Sequence, residues 1–164
     1  MKRKFFIAII AVSVAGLLGS FAFGYVNRPE ATPHTNTSGS VHKLTVYKSP
    51  DCGCCKIHAD YLERAGYKIE RVLVDNPNEI KEKYDVPREL WSCHTTIVNG
   101  GEYFIEGHIP EEAFAKILEE EPAISGIGMP GMPSGSPGMP GAQLEPFEIM
   151  QVSYDSDISE YIKL

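Results

Sequence analysis

A chain of 164 residues has room for one ordinary domain and its tails. With 22 acidic residues against 15 basic ones the formal charge is −7, which argues against a nucleic-acid or polybasic membrane-surface role. Such acidity is compatible with attracting metal cations but is too common among soluble proteins to count as a sign of it.

The first predicted element is an export signal. Lys2, Arg3 and Lys4 precede an almost unbroken apolar stretch from Phe5 to Val26, the charged-then-apolar order that export machinery reads. Ser20-Phe21-Ala22 offers a small-x-small cleavage site, so residues 1–26 are expected to be a cleaved signal peptide. The alternative is an uncleaved inner-membrane anchor through residues 5–26, because the stretch approaches the ~20 residues a spanning helix needs. Either way the rest of the chain is expected in the periplasm or on the extracytoplasmic face of the membrane. Residues 27–42, rich in Pro, Thr, Ser and Gly, read as a flexible tether on which His34 and His42 are solvated.

A domain is expected over residues 43–121. Lys43 to Lys48 is β-prone, and a helix follows at once from Ser49, Pro50 and Asp51, with Ile57, Tyr61, Leu62 and Ala65 at helical spacing until Gly66. Tyr67 to Asp75 is the second strand, where the run Val72, Leu73, Val74 suits a covered parallel position. Asn78 to Tyr84 is a short polar helix. Thr95 to Val98 and Tyr103 to Glu106 pair through Asn99-Gly100-Gly101, residues that tolerate positive φ. Pro110 opens the last helix, with Glu111 and Glu112 at its positive end and Phe114, Ile117 and Leu118 facing inward. The core is expected on Val46, Val72, Val74, Ile97, Phe114 and Leu118. The order β-α-β-α-β-β-α defines an α/β, thioredoxin-like domain.

Residues 122–164 form a C-terminal extension. Up to Gly141 it is dominated by Gly, Pro, Met and Ser and lacks the apolar bulk for its own core. Gly126-Ile127-Gly128-Met129-Pro130-Gly131 matches a phosphate-loop pattern formally, but no strand is expected before it, and Pro130 and Pro133 forbid the helix that should follow. Phe147 to Tyr154 and Ile158 to Ile162 could make a terminal strand pair turned at Asp155 to Asp157.

The chemistry concentrates in Asp51-Cys52-Gly53-Cys54-Cys55-Lys56-Ile57-His58. Cys52 and Cys55 have C-x-x-C spacing at a helix start, where the positive helix end favours thiolate. Cys54 adds a third sulfur, and His58 follows it by four residues, so it can share its face. Cys93, next to His94, stands just before the third strand, in the loop that a thioredoxin order packs against the C-x-x-C turn. Two disulfide staples would be the bland explanation. A bridge within residues 52–55 is worth about 2 kcal/mol in the chain-entropy model and one to Cys93 roughly 4. Only one useful staple can therefore be built, leaving two thiols without a structural purpose.

Four motifs in order resemble a known family. They are Tyr47-Lys48-Ser49-Pro50 leading into Cys52-Gly53-Cys54-Cys55; Trp91-Ser92-Cys93-His94-Thr95; Glu106-Gly107-His108-Ile109-Pro110; and the Pro-Gly-Met segment from Pro130 to Met139. This resembles the small exported proteins of thioredoxin-like fold, long catalogued as a domain of unknown function, that include the CopG-type copper-resistance proteins. The resemblance covers about residues 43 to 141. It implies copper binding outside the cytoplasm, with Cys52, Cys54, Cys55 and Cys93 as ligands. It also puts His94, Thr95 or Thr96 where thioredoxin-like enzymes carry a cis-proline beside the C-x-x-C pair, which would open the sulfurs to a metal.

Soft sulfur donors suit copper(I), zinc or iron–sulfur clusters, and nothing here assembles an oxygen cage for calcium or magnesium. Zinc is the competitor, but adjacent thiolates such as Cys54 and Cys55 crowd one tetrahedral ion, whereas sulfurs that bridge several copper(I) ions tolerate it. The expectation is a copper(I)-binding protein of copper resistance, holding one or more ions and passing or redox-converting them, with copper donor or acceptor proteins of the cell envelope as partners. His94, His58, Met132 and Met139 are secondary ligand candidates, with Met129 beside them. His108 could simply support the turn before its helix. The Gly126 to Gly141 segment is expected to fold back over the cysteine turn. The alternative is a thiol–disulfide oxidoreductase in which Cys52 attacks and Cys55 resolves.

Overall fold

The computed structural model describes residues 42–164. The expected signal peptide or anchor over residues 1–26, its cleavage site at Ser20-Phe21-Ala22, His34 and the tether up to residue 41 lie outside the described residues. His42 is described, and it accepts a hydrogen bond from Asn99 Nδ2 at 3.2 Å.

Strand β1, Leu44–Lys48, runs between buried Leu44 and Val46 and leads into helix α1, Gly53–Arg64. Cys52 caps that helix: its Sγ accepts from the Cys55 N–H, filling the place an oxygen usually takes. Strand β2, Ile69–Leu73, then pairs parallel to β1, and helix α2, Pro77–Lys83, starts at an Asn76 cap. A 3-10 turn at Arg88–Leu90 leads to β3, His94–Val98, antiparallel to β1. The hairpin is as expected, with Asn99 and Gly100 at φ 47° and 81° between β3 and β4, Tyr103–Glu106. Helix α3, Glu111–Glu120, buries Ala113, Phe114, Ile117 and Leu118.

The β-α-β-α-β-β-α order is thus borne out, as an open sheet with helices packed on it. The extension adds three strands to the same sheet: β5, Gly126–Gly128; β6, Glu148–Val152; and β7, Ile158–Lys163, in the order β2-β1-β3-β4-β5-β6-β7. The terminal strand pair is present. Strand β5 was not foreseen: Gly126 and Gly128 carry almost no strand signal, and the pairing comes from β4 on one side and β6 on the other. A side chain at Gly126 would run into Phe104, so glycine lets the two strands close.

Two expectations are corrected. Val72 and Val74 do not belong to the core, because β2 is an edge strand with β1 as its one neighbour; Val72 and Val74 are half-buried and Leu73 is 60 % exposed. The main core instead joins Leu44, Leu62, Ile105, Ile109, Phe114 and Ile117 with Ile127 and Ile149 of the extension, a smaller cluster gathers Ile97, Phe104 and Val152, and Val46 is fully buried outside both. The second correction concerns partners: nothing in the structure supports the expected copper donor or acceptor proteins of the cell envelope, and the inner-membrane anchor is not borne out. No helix among the described residues is long and apolar enough to cross a membrane, the longest having 12 residues against the ~20 a span requires. Residues 5–26 themselves lie outside the described residues.

Candidate metal centre

Register brings the site together. Antiparallel pairing sets His94 of β3 opposite Lys48 of β1, so the residue before it, Cys93, meets the chain as it enters the cysteine turn. Thr95 faces Glu106 across the β3–β4 pair. Continued by two residues, that register sets His108 against Cys93.

The Sγ atoms of Cys52, Cys54, Cys55 and Cys93 lie within 4.8 Å of one another. Cys52 and Cys55 are joined as a disulfide, while Cys54 and Cys93 are free and half-buried. Two structural staples are therefore not what these cysteines form. Cys54 Sγ is 3.5 Å from Cys52 Sγ, and Cys55 Sγ is 3.9 Å from the Cys93 carbonyl oxygen. Burial, then the neighbouring Cys54, push the Cys93 thiol up to about 12. An isolated Cys93 is thus a neutral thiol at pH 7, and a cation that binds it must displace the proton.

Two buried histidines flank Cys93, and a third, His58, stands behind one of them. Cys93 Sγ is 3.5 Å from His94 Nδ1 and 2.9 Å from His108 Nε2. His94 Nε2 meets His58 Nδ1 at 3.0 Å, and His58 Nε2 donates to the Ile109 carbonyl at 2.9 Å. His108 Nδ1 donates to the Pro137 carbonyl at 2.6 Å. All three rings are held neutral: burial takes His58 down to about 4, takes His94 well below the ordinary histidine range and lowers His108 as well. Cys55, Cys93, His94 and His108 form a second group of donor atoms within 4.8 Å.

Behind this group lies a buried ion pair. Lys81 and Glu106 are 1 % and 0 % exposed and in direct contact, and the carboxylate also accepts from Thr95 Oγ1 at 2.6 Å and from the Ser92 N–H at 2.6 Å. Burial raises the Glu106 carboxyl, while Lys81 and the other donors oppose the shift. By gripping Ser92 the carboxylate fixes the residue next to Cys93. Gly107 makes this approach feasible: at φ +88° a Cβ would sit 2.8 Å from the Met129 carbonyl oxygen and 3.0 Å from Ser92 Cβ.

The Gly-Pro-Met segment does fold over the cysteine turn. Pro137 is tied to His108, Ser92 Oγ donates to the Gly131 carbonyl, and Gly138 at φ +89° lies so close that a Cβ would stand 2.8 Å from the Cys54 carbonyl oxygen and 3.0 Å from the His58 nitrogen. Its methionines divide. Met129 is buried in the main core, Met139 is half-buried and Met132 is 49 % exposed. Of the sequence candidates, then, the four cysteines, His94 and His58 are brought together. His108, read as a turn support, turns out to stand nearest Cys93 of the three histidines.

The family model of a protein of unknown function, DUF411, matches residues 90–139. Two solved structures are similar to most of the chain. One, titled copper resistance protein copG, form 2, is 30 % identical with a TM-score of 0.69 and covers 76 % of this chain and 99 % of its own. The other, form 1 of the same title, is 31 % identical with a TM-score of 0.67 and covers 74 % and 96 %. No curated protein matches the chain.

Proposed function

This chain belongs to the family of the CopG copper-resistance proteins, and from that premise we propose that it is an exported protein that holds copper(I) on Cys52, Cys54, Cys55 and Cys93 once the Cys52–Cys55 disulfide is reduced. The observation that carries the proposal is the convergence of all four cysteine sulfurs, three from one turn and one from the distant loop just before β3, within 4.8 Å. So many soft donors in so small a volume suit thiolates that bridge more than one copper(I), while a single zinc ion is poorly served by the adjacent Cys54 and Cys55. His94 stands beside the Cys93 sulfur with His58 bonded to its far nitrogen, and Met139 and Met132 belong to the segment above as supplementary soft donors. That cover limits access of water and oxygen to bound copper(I). The role is in copper resistance, with copper as cargo.

Anaerobic titration of the reduced full chain with copper(I) and with zinc, counting ions bound, tests this. More than one copper(I) per chain, lost stepwise in Cys54→Ser and Cys93→Ser, is the expected result. One zinc ion bound in preference to copper would overturn it. The closed Cys52–Cys55 disulfide supports a second reading, thiol–disulfide exchange with Cys52 attacking and Cys55 resolving. That reading prevails if Cys54→Ser binds copper like the parent but no longer exchanges disulfides.

A further inference from the structure

Among the described residues two lysines are buried, and only one of them has a counter-ion. Lys81, 1 % exposed, is in direct contact with the Glu106 carboxylate. Lys48, 5 % exposed, is held by backbone alone: its Nζ donates to the Ser49 carbonyl at 2.7 Å and to the Pro50 carbonyl at 3.4 Å. No acid among the described residues pairs with it, and Asp51, the nearest in sequence, is exposed. A cation taken out of water without an anion is strongly disfavoured. Its position adds to the cost. The Ser49 carbonyl that holds the ammonium also accepts the Cys52 N–H at 3.2 Å, so Lys48 lies against the start of α1, whose positive end repels a cation. Helices α2 and α3 carry Glu79 and the pair Glu111, Glu112 in their first turns, whereas the first turn of α1 has no acid. On the other side, the β1–β3 pairing sets Lys48 opposite His94, the neighbour of Cys93.

We propose that Lys48 is the counter-ion of the copper-loaded cysteine turn, unfavourable in the metal-free protein and favourable once the first copper(I) binds. The inference rests on the copper(I) reading above. Each thiolate brings one negative charge and each copper(I) one positive charge, so an ion held by two or more thiolates forms an anionic group. Only as many ions as thiolates make it neutral. The ammonium therefore matters most for the first ion and least for the last. Its two carbonyl bonds keep it beside the Cys52 backbone instead of letting the long side chain reach solvent, and there the attraction to a buried anion is strong. Lys48 is in this way to the cysteine turn what Lys81 is to Glu106, except that its anion arrives with the cargo.

Three substitutions in the full chain separate charge from support of the turn. Lys48→Gln keeps a donor for the carbonyls without the charge, Lys48→Met removes both, and Lys48→Arg keeps both. The reduced proteins compete anaerobically with a chromophoric chelator for less than one copper(I) per chain. Affinity for that first ion should fall at least about tenfold in Lys48→Gln and Lys48→Met, with Lys48→Arg binding more tightly than either. The second readout needs no metal: in urea, the disulfide form of Lys48→Met should be at least as stable as the parent, because an unpaired buried charge is gone. Opposite signs in the two states are the signature, since a residue that only braces the turn would weaken both. Lys48→Gln binding copper(I) as the parent does, or metal-free Lys48→Met less stable than the parent, overturns the proposal and leaves the copper(I) reading standing. A parent that takes up no copper(I) overturns that reading and this inference with it.

Discussion

The two halves of the centre are held by different means. Cys52, Cys54 and Cys55 come from four consecutive residues at one helix start, and their geometry needs little more than the helix itself. Cys93, His94 and His108 come from the ends of two strands and are fixed by the β3–β4 register, the Lys81–Glu106 pair behind Ser92 and the Pro137 carbonyl above His108. A local half can open and close its disulfide without disturbing the fold, whereas the non-local half exists only because the fold does. The first is built for a change of state and the second for constancy.

The sharpest way to break this contrast is at the ion pair. Lys81→Met leaves a buried carboxylate without its cation and should cost about 3–5 kcal/mol, measured by urea unfolding; Lys81→Met with Glu106→Gln should recover most of it. Increased Cys93 alkylation in the single variant, reversed in the double, would show that the pair positions the strand half.

Acid is the next lever. The His58 imidazole is held near 4 in the fold against about 6.5 unfolded, so between those values the unfolded chain binds a proton that the folded chain refuses. Stability is therefore full above about pH 6.5 and falls as pH drops towards 4, by about 3 kcal/mol from His58 alone. His94 and His108 act in the same direction. Denaturant melts from pH 7 to 4 check the sign; a flat profile would mean the ring is not buried neutral.

Gly138→Ala tests the cover. It forces an alanine to φ +89° against the Cys54 carbonyl, with an expected cost of about 2 kcal/mol and faster hydrogen exchange over residues 131–141. The smallest effect belongs to the local half. Reducing the Cys52–Cys55 disulfide releases a short loop worth about 2 kcal/mol at most, so the reduced protein should remain folded with a modestly lower Tm. Global unfolding on reduction would erase the distinction between the halves.

The alternation of apolar residues and turn signals determined the β-α-β-α-β-β-α order, and the spacing of Cys52, Cys54, Cys55 and His58 determined the sulfur half, because helix starts and hairpins depend on neighbours in sequence. Cys93 was legible through its place in that order. His108 was undervalued because its approach to Cys93 depends on pairing Thr95 with Glu106, a choice the hairpin makes and no local motif announces. Nothing marks Lys81 as buried within the polar run Asn78 to Tyr84, since its partner lies 25 residues away. Val72 and Leu73 misled for the converse reason: an apolar run signals burial, but only the strand order says whether a neighbour covers it. Strand β5 and the fit of Gly138 over Cys54 rest on the absence of side chains, which in sequence looks like a linker and becomes structure only when other elements close around it.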